Sequence, residues 1–327
     1  MKNRLTHYLY LVSIKLEIAL PLGYMLHRYK ILKVLGGGGF SLVYLAEDAE
    51  ARRNVVIKEY LPSSQATRAE GETVESISAE TNSGFMQGMQ RFFEEAAVLA
   101  KLQHPNIVRV TDFFRENNTV YLVMEHEEGT DLRAYLKRQG GRMSEKFIRT
   151  IFIQILDGLR EIHKLGMLHL DIKPSNIWLR PGGRPLLLDF GATQSAFKGN
   201  KRSGAHTLTL GFAPIEQHRR GHIGPWTDMY ALGASMYACM SGRAPLSSPE
   251  RAERDKHKPA VKQFRRHYSR QLLEAVDWCL QMNQTERPQT VDDLAAVMSQ
   301  PYGAPAPGFS LLNQLKRFWP WAGKNAA

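Results

Sequence analysis

The chain has 327 residues with 43% hydrophobic and 23% charged content, ordinary for a folded globular protein and enough for about two domains. Its formal net charge of +11 favours acidic partners such as phosphates, nucleic acid, acidic protein segments or anionic lipid. The two cysteines, Cys239 and Cys279, exclude a disulfide framework and a cysteine-rich zinc site, and no apolar run of about 18 residues is present to cross a membrane as a helix.

In chain order, "MKNRLTHYLYLVSIKLEIALPLG" sets basic residues before an apolar segment, as a secretory signal does. Lys15 and Glu17 interrupt that segment, and no small-residue cleavage site follows. Residues 1–23 are read as an extension packed on the first lobe, with a secretory signal or a start at Met25 as alternatives. From Tyr29 to Tyr60, "YKILKVLG", "SLVYLAED" and "RNVVIKEYL" read as three strands, the first two joined around a Gly cluster. Residues 62–83 are polar and weakly patterned, a loop-like insertion that is long for a compact domain. "FMQGMQRFFEEAAVLAKLQ" has apolar residues at helical spacing, and "IVRVTDFF" and "TVYLVMEH" pair around "RENN" as a hairpin.

After Gly129 the pattern turns helical: "DLRAYLKRQ", "EKFIRTIFIQILDGLREIHKLG", "TDMYALGASMYACMSG" and "SRQLLEAVDWCLQM" each carry apolar residues every three or four positions. The expected architecture is α+β in two lobes. A small antiparallel β-rich lobe with one main helix (24–126) precedes a larger α-helical lobe (127–300). "PYGAPAPG" (301–308) is a linker by composition, and "SLLNQLKRFWPW" in the tail to residue 327 can form a short amphipathic helix from Leu311, Leu312, Leu315 and Phe318.

Four features carry chemistry. "LGGGGFSLVY" places glycines in a strand–turn–strand, where backbone N–H groups can approach phosphate closely. Lys58 in "VVIKEY" lies on an apolar strand and needs an acid to hold it; Glu95 and its neighbour Glu94 are the candidates on the following helix. "HLDIKPSN" spaces Asp171, Lys173 and Asn176 so that one can accept a hydroxyl proton, one can neutralise phosphate and one can bind a metal. "LLLDFGAT" ends an apolar strand on Asp189, a carboxylate poised for Mg²⁺.

With these motifs in this order, residues from about Leu26 to Gln300 resemble a eukaryotic-like (Hanks-type) serine/threonine protein kinase of the kind found in bacteria. The resemblance implies the two-lobed kinase fold and ATP and Mg²⁺ as cofactors. It implies transfer of the γ-phosphoryl group to Ser or Thr hydroxyls of protein substrates. Gly36 and Gly38 would belong to the phosphate-covering loop, and Val43 and Val56 would lie against adenine. Lys58 would bind the α and β phosphates and pair with Glu95, which fits "ExxxLxxLxHPN" better than Glu94 does. Met124 resembles the gatekeeper; Glu125 and Glu127 would offer backbone groups to adenine, Asp131 would meet the ribose, and Trp178 would floor the pocket. Asp171 resembles the catalytic base and Lys173 the phosphate-contacting lysine, with Asn176 and Asp189 as Mg²⁺ ligands. Thr209 matches the substrate-docking segment, Glu216 and Arg287 a structural ion pair, and Asp228 and Gly233 the long central helix.

The departures are equally specific. Leu170 stands where the family pattern "HRD" has the Arg that grips an activation-loop phosphate, so phosphate-gated activation through the loop Ala192–Leu208 is not expected. Ser41 replaces the third Gly of the loop, and Val56 and Trp178 are bulkier than the usual pocket residues. A scaffold that keeps the fold without efficient catalysis is the alternative. The insertion 62–83 is either a handle for a regulator or a passive surface loop. The basic stretch "RAERDKHKPAVKQFRRHYSR" reads as a solvated face, with docking of acidic substrate segments, lipid or nucleic acid as alternatives, the last disfavoured because no recognised module is present. The tail with Lys316, Arg317, Trp319 and Trp321 allows peripheral membrane contact, with packing back on the chain or disorder as alternatives. The expected compartment is the cytoplasm.

Overall fold

Period-two alternation builds the first lobe. Strands β1 (Met25–Leu26), β2 (Tyr29–Gly37), β3 (Ser41–Asp48) and β4 (Arg53–Tyr60) turn Tyr29, Ile31, Tyr44, Ala46, Val55 and Ile57 to one interior face. The structure, a computed structural model, describes residues 17–68, 71–189, 194–195, 208–219 and 221–300. Expectations for residues 1–16, most of the loop Ala192–Leu208, and the linker and tail 301–327 lie outside these.

After β4 the chain makes a short hairpin, β5 (Ala66–Arg68) with β6 (Val74–Ser76), and then helix α1 (Ala79–Leu99). The segment expected to be loop-like is therefore a hairpin, and α1 starts four residues before that segment ends. Both differences have one cause: the residues that order the insertion lie elsewhere in the chain. Arg68 reaches Glu59, which is fully buried on β4 and also accepts hydrogen bonds from Tyr44 Oη (2.7 Å) and Tyr121 Oη (2.8 Å). Arg68 Nε donates to the Ile18 carbonyl at 2.7 Å, and Leu20 N–H donates to Tyr44 Oη, so residues around Leu20 also pack on this lobe. The start of α1 is set by Ser78, whose N–H donates to Thr81 Oγ1 at 3.0 Å.

Strands β7 (Val110–Glu116) and β8 (Thr119–Glu125) form the expected hairpin, with Asn117 and Asn118 both at positive φ as a two-residue turn of type I′ requires. The six antiparallel strands are ordered β1-β2-β3-β4-β8-β7.

The second lobe begins with β9 (Thr130–Asp131) and helices α2 (Leu132–Arg138) and α3 (Glu145–Lys164), capped by Asp131 and Ser144. Four short strands follow: β10 (Met167–Leu168), β11 (Ile177–Leu179), β12 (Pro185–Leu187) and β13 (Gln194–Ser195). Beyond them lie α4 (Ile215–His218), α5 (Pro225–Ser241), α6 (Ser248–Glu253), α7 (Ala260–Phe264), α8 (Arg270–Cys279) and α9 (Val291–Met298). Helix α5 is apolar around nearly its whole circumference, and every residue from Thr227 to Met240 is buried, which makes it the centre of the lobe. Cys239 and Cys279 are free, fully buried thiols, and burial pushes the Cys239 thiol up to about 12.

Helix α1 meets the sheet through a close approach that only glycine permits. Tyr60, held between the rings of Phe85 (5.8 Å) and Phe92 (5.6 Å), points its hydroxyl at Gly88, where a Cβ would collide with it. Gly88→Ala therefore destabilises the protein by about 1–3 kcal/mol in urea unfolding, overpacking exceeding the gain in helix propensity. In a Tyr60→Phe background the same substitution costs clearly less; an equal cost would place the strain elsewhere.

Candidate active site

The buried strand β4 delivers Lys58, which is 5% exposed, to the junction of the lobes. There its Nζ pairs with the Asp189 carboxylate from the end of the β12 segment. Among the described residues this is the ion pair Lys58 makes; the expected pair with Glu95 is not formed. Asp189 has a left-handed backbone (φ 66°) that turns its carboxylate toward the lysine, whose burial leaves it little competing solvent. Glu95 is half-buried on α1, and exposed Glu94 accepts from Gln90 Nε2 at 3.0 Å.

Asp171 is held by three side chains of the second lobe. Lys173 Nζ donates to both of its oxygens (3.0 and 2.7 Å), Asn176 Nδ2 donates to its Oδ2 (3.0 Å) and Thr209 Oγ1 donates to its Oδ1 (3.1 Å). Lys173 also donates to Thr209 Oγ1 at 3.0 Å, so the loop from Asp171 to Asn176 and the segment starting at Thr209 share one network. Pro174 opens the 3₁₀ turn that presents Asn176, whose amide also donates to the Asp171 carbonyl. With Nδ2 spent on Asp171, the oxygen Oδ1 is the group Asn176 has left for a cation. Asn176 Oδ1 and the Asp189 carboxylate are hard oxygen donors of the kind Mg²⁺ takes, so the residues fit that ion.

His169, fully buried, accepts from the Asp171 N–H through Nδ1 (3.3 Å) and faces the Leu188 carbonyl with Nε2 (3.0 Å). That places its one proton on Nε2, and burial holds its pKa below the usual imidazole value, so it stays neutral. Leu170 adopts φ 63°, a left-handed conformation uncommon for a branched residue, and is 6% exposed. Its N–H donates to Asp228 Oδ1 (2.8 Å), while Asp228 Oδ2 accepts from the His169 N–H (2.9 Å) and pairs with His163 Nε2 (2.8 Å). Burial pulls the Asp228 carboxyl up, but the hydrogen bonds from His163 and the His169 amide outweigh it and hold it below the usual carboxylate range.

The glycine turn follows β2: Gly36 pairs with Val43 across the hairpin, Gly36 at φ 156°, and Gly38 N–H donates to the Ser41 carbonyl. The turn is also tied to the insertion. Leu61 N–H donates to the Phe40 carbonyl, and Ser63 donates to the Gly39 carbonyl through both its N–H (2.8 Å) and its hydroxyl (3.1 Å). Val56 pairs with gatekeeper-like Met124 on the neighbouring strand, and both Val56 and Trp178 pack on the main core. Glu125 spends its N–H on the Arg109 carbonyl, which leaves its carbonyl as the group it could offer adenine. The Glu127 side chain lies 3.4 Å from Arg180, and Asp131 spends one oxygen capping α2. Gly129, at φ 150°, packs so tightly on Leu179 and Trp178 that no other residue fits.

Sequence reasoning missed Gln217, whose buried amide Nε2 donates to the Leu170 carbonyl at 3.0 Å, and missed the Arg68–Glu59 anchor. Nothing in the local pattern marks either. The Glu216–Arg287 pair is formed as expected, bidentate at 2.6 and 3.1 Å and buried on both sides.

A sheet-bearing lobe and a helical lobe thus bring Lys58, Asp171, Asn176 and Asp189 to their junction. The chain belongs to the protein kinase family: the model of the protein kinase domain matches residues 29–302. It is 34% identical over 231 residues to serine/threonine-protein kinase PknA of Nostoc sp., a match covering 67% of this chain and 38% of that one. It is 32% identical over 220 residues to serine/threonine-protein kinase PrkC of Bacillus subtilis, covering 67% and 31% respectively. It thus spans well under half the length of these relatives. Among solved structures it resembles one described as the PpkA-294 apo form, with a TM-score of 0.74 and 35% identity, covering 86% of this chain and all of that one.

Arg287→Met leaves the Glu216 carboxylate buried without its cation. The expected loss is about 3–5 kcal/mol in urea unfolding, and a loss under about 1 kcal/mol would show that the pair does not anchor α4.

Proposed function

We propose that this chain transfers the γ-phosphoryl group of ATP, with Mg²⁺, to Ser or Thr hydroxyls of protein substrates, and that it does so without phosphate-gated activation. The observation that carries the reading is the network around Asp171. A carboxylate held by Lys173, Asn176 and Thr209 is fixed in place to orient an incoming hydroxyl and accept its proton. Lys173 neutralises charge on the transferring group, and Lys58 does the same for the α and β phosphates. Asn176 and Asp189 would hold Mg²⁺, which would neutralise phosphate charge. Main-chain groups of Glu125 and Glu127 seat adenine between Val43 and Val56 above and Trp178 below, Asp131 meets the ribose, and Gly36 and Gly38 cover the phosphates. Thr209 contributes to the same network from the substrate-docking side, which favours a hydroxyl acceptor on a peptide.

The absence of phosphate gating rests on Leu170: a buried leucine offers no cation to a phosphorylated loop. A regulator that grips the insertion would act through Ser63 on the glycine turn and through the hairpin on α1. The expected compartment is the cytoplasm; no described helix is long and apolar enough to cross a membrane.

Incubation with labelled ATP, Mg²⁺ and a Ser/Thr-rich acceptor is expected to label Ser or Thr, and Asp171→Asn to lower the rate by about 10²–10⁴-fold. No label with several acceptors at high ATP would favour the non-catalytic scaffold instead. Replacing Ser195, Ser203 and Thr207 together by Ala is expected to leave kcat within about threefold of wild type. A much larger loss, on the scale of phosphate-dependent loop ordering, would sink the ungated reading.

A further inference from the structure

The peptide unit joining Leu170 to Asp171 is gripped at both ends. Its N–H, on Asp171, donates to His169 Nδ1 at 3.3 Å; its carbonyl, on Leu170, accepts from Gln217 Nε2 at 3.0 Å. Gln217 is 3% exposed and sits on α4, a four-residue helix. Its neighbour Glu216 is locked by both terminal nitrogens of Arg287 and by Thr227 Oγ1 at 3.1 Å, so the amide projects from a rigid base. The peptide it grips follows a residue at φ 63°, where a leucine is strained and a relaxed backbone would swing the next residue away. That next residue is Asp171.

We propose that Gln217 is a positioning residue for phosphoryl transfer: its amide fixes the orientation of the Leu170–Asp171 peptide and thereby the aim of the Asp171 carboxylate. Asp228 holds the N–H side of Leu170 and Gln217 holds the carbonyl side, so the strained residue cannot rotate about either flanking peptide. A neutral side-chain amide then supplies, within the folded C-lobe, a link between the catalytic loop and the segment after Thr209 that needs no phosphate. The inference rests on the kinase reading given above.

The test compares wild type, Gln217→Met, Leu170→Gly and the double variant, with Gln217→Glu as a second variant of the same size that lacks the donor. The readouts are kcat, the KM values for ATP and a Ser/Thr acceptor, and native-state hydrogen exchange of the Asp171 amide. Gln217→Met and Gln217→Glu are expected to lower kcat by about tenfold or more while KM for ATP stays within about twofold, and to speed Asp171 amide exchange. Glycine holds φ 63° without strain, so in the Leu170→Gly background Gln217→Met should lower kcat by less than about threefold. The proposal is overturned if kcat and amide exchange are unchanged in an active protein, or if the loss in kcat is equal in both backgrounds. A wild type that labels no acceptor would remove the kinase reading, while the exchange rates would still decide whether Gln217 holds the peptide.

Discussion

A carboxylate with no solvent contact, Asp228, suspends the loop that carries His169, Leu170 and Asp171. Burying the charge of Asp228 in the first turn of an apolar helix is costly, and three donors that converge on it offset the cost: the N–H groups of His169 and Leu170 and the His163 ring. Those same bonds force Leu170 into a left-handed conformation, direct His169 inward as a neutral ring and set Asp171 at the lobe junction. The rest of the second lobe serves this point. Helix α5 is buried on all sides, so its aspartate has no freedom to follow the loop; the loop must follow it.

Much of this was legible in the sequence, and the part that was legible shares a cause. Strands β2 to β4, the β7–β8 hairpin and helices α2, α3 and α8 each carry their own periodicity or turn residues, and α5 a nearly continuous apolar run, so local reading suffices. The fixed spacings of "HLDIKPSN" and "LLLDFGAT" single out Asp171, Lys173, Asn176 and Asp189, and the structure joins the first three in one hydrogen-bond network and pairs the fourth with Lys58. The insertion was misread because its order depends on Glu59, Tyr44 and Tyr121, none of which lies within it. The Lys58–Glu95 pair was expected from the family pattern, yet Lys58 meets Asp189, a partner 131 residues away whose backbone turns toward it. Gln217 was invisible for a related reason: a glutamine beside a marked Glu216 carries no signal until the Leu170 carbonyl is seen facing it.

The two lobes solve the problem of buried charge in the same way. Glu59 in the first is held by an arginine and two tyrosines; Glu216 in the second by an arginine and a threonine. Each lies one position from a residue placed at or against the site, Lys58 beside Glu59 and Gln217 beside Glu216. An anchored carboxylate thus fixes the backbone on which the neighbouring side chain is aimed, which is where positional precision is needed and flexible side chains are not.

The bonds from Leu61 and Ser63 to the glycine turn have a mechanical meaning. A glycine turn fixed only by its own hairpin swings as a free flap. This one is stitched along its outer edge to the first residues of the insertion, and the insertion is pinned in turn by Arg68. Lifting the turn requires either tearing three hydrogen bonds or hauling the insertion with it. The freedom of the glycine turn and the fit of the insertion on the lobe are therefore set by one latch.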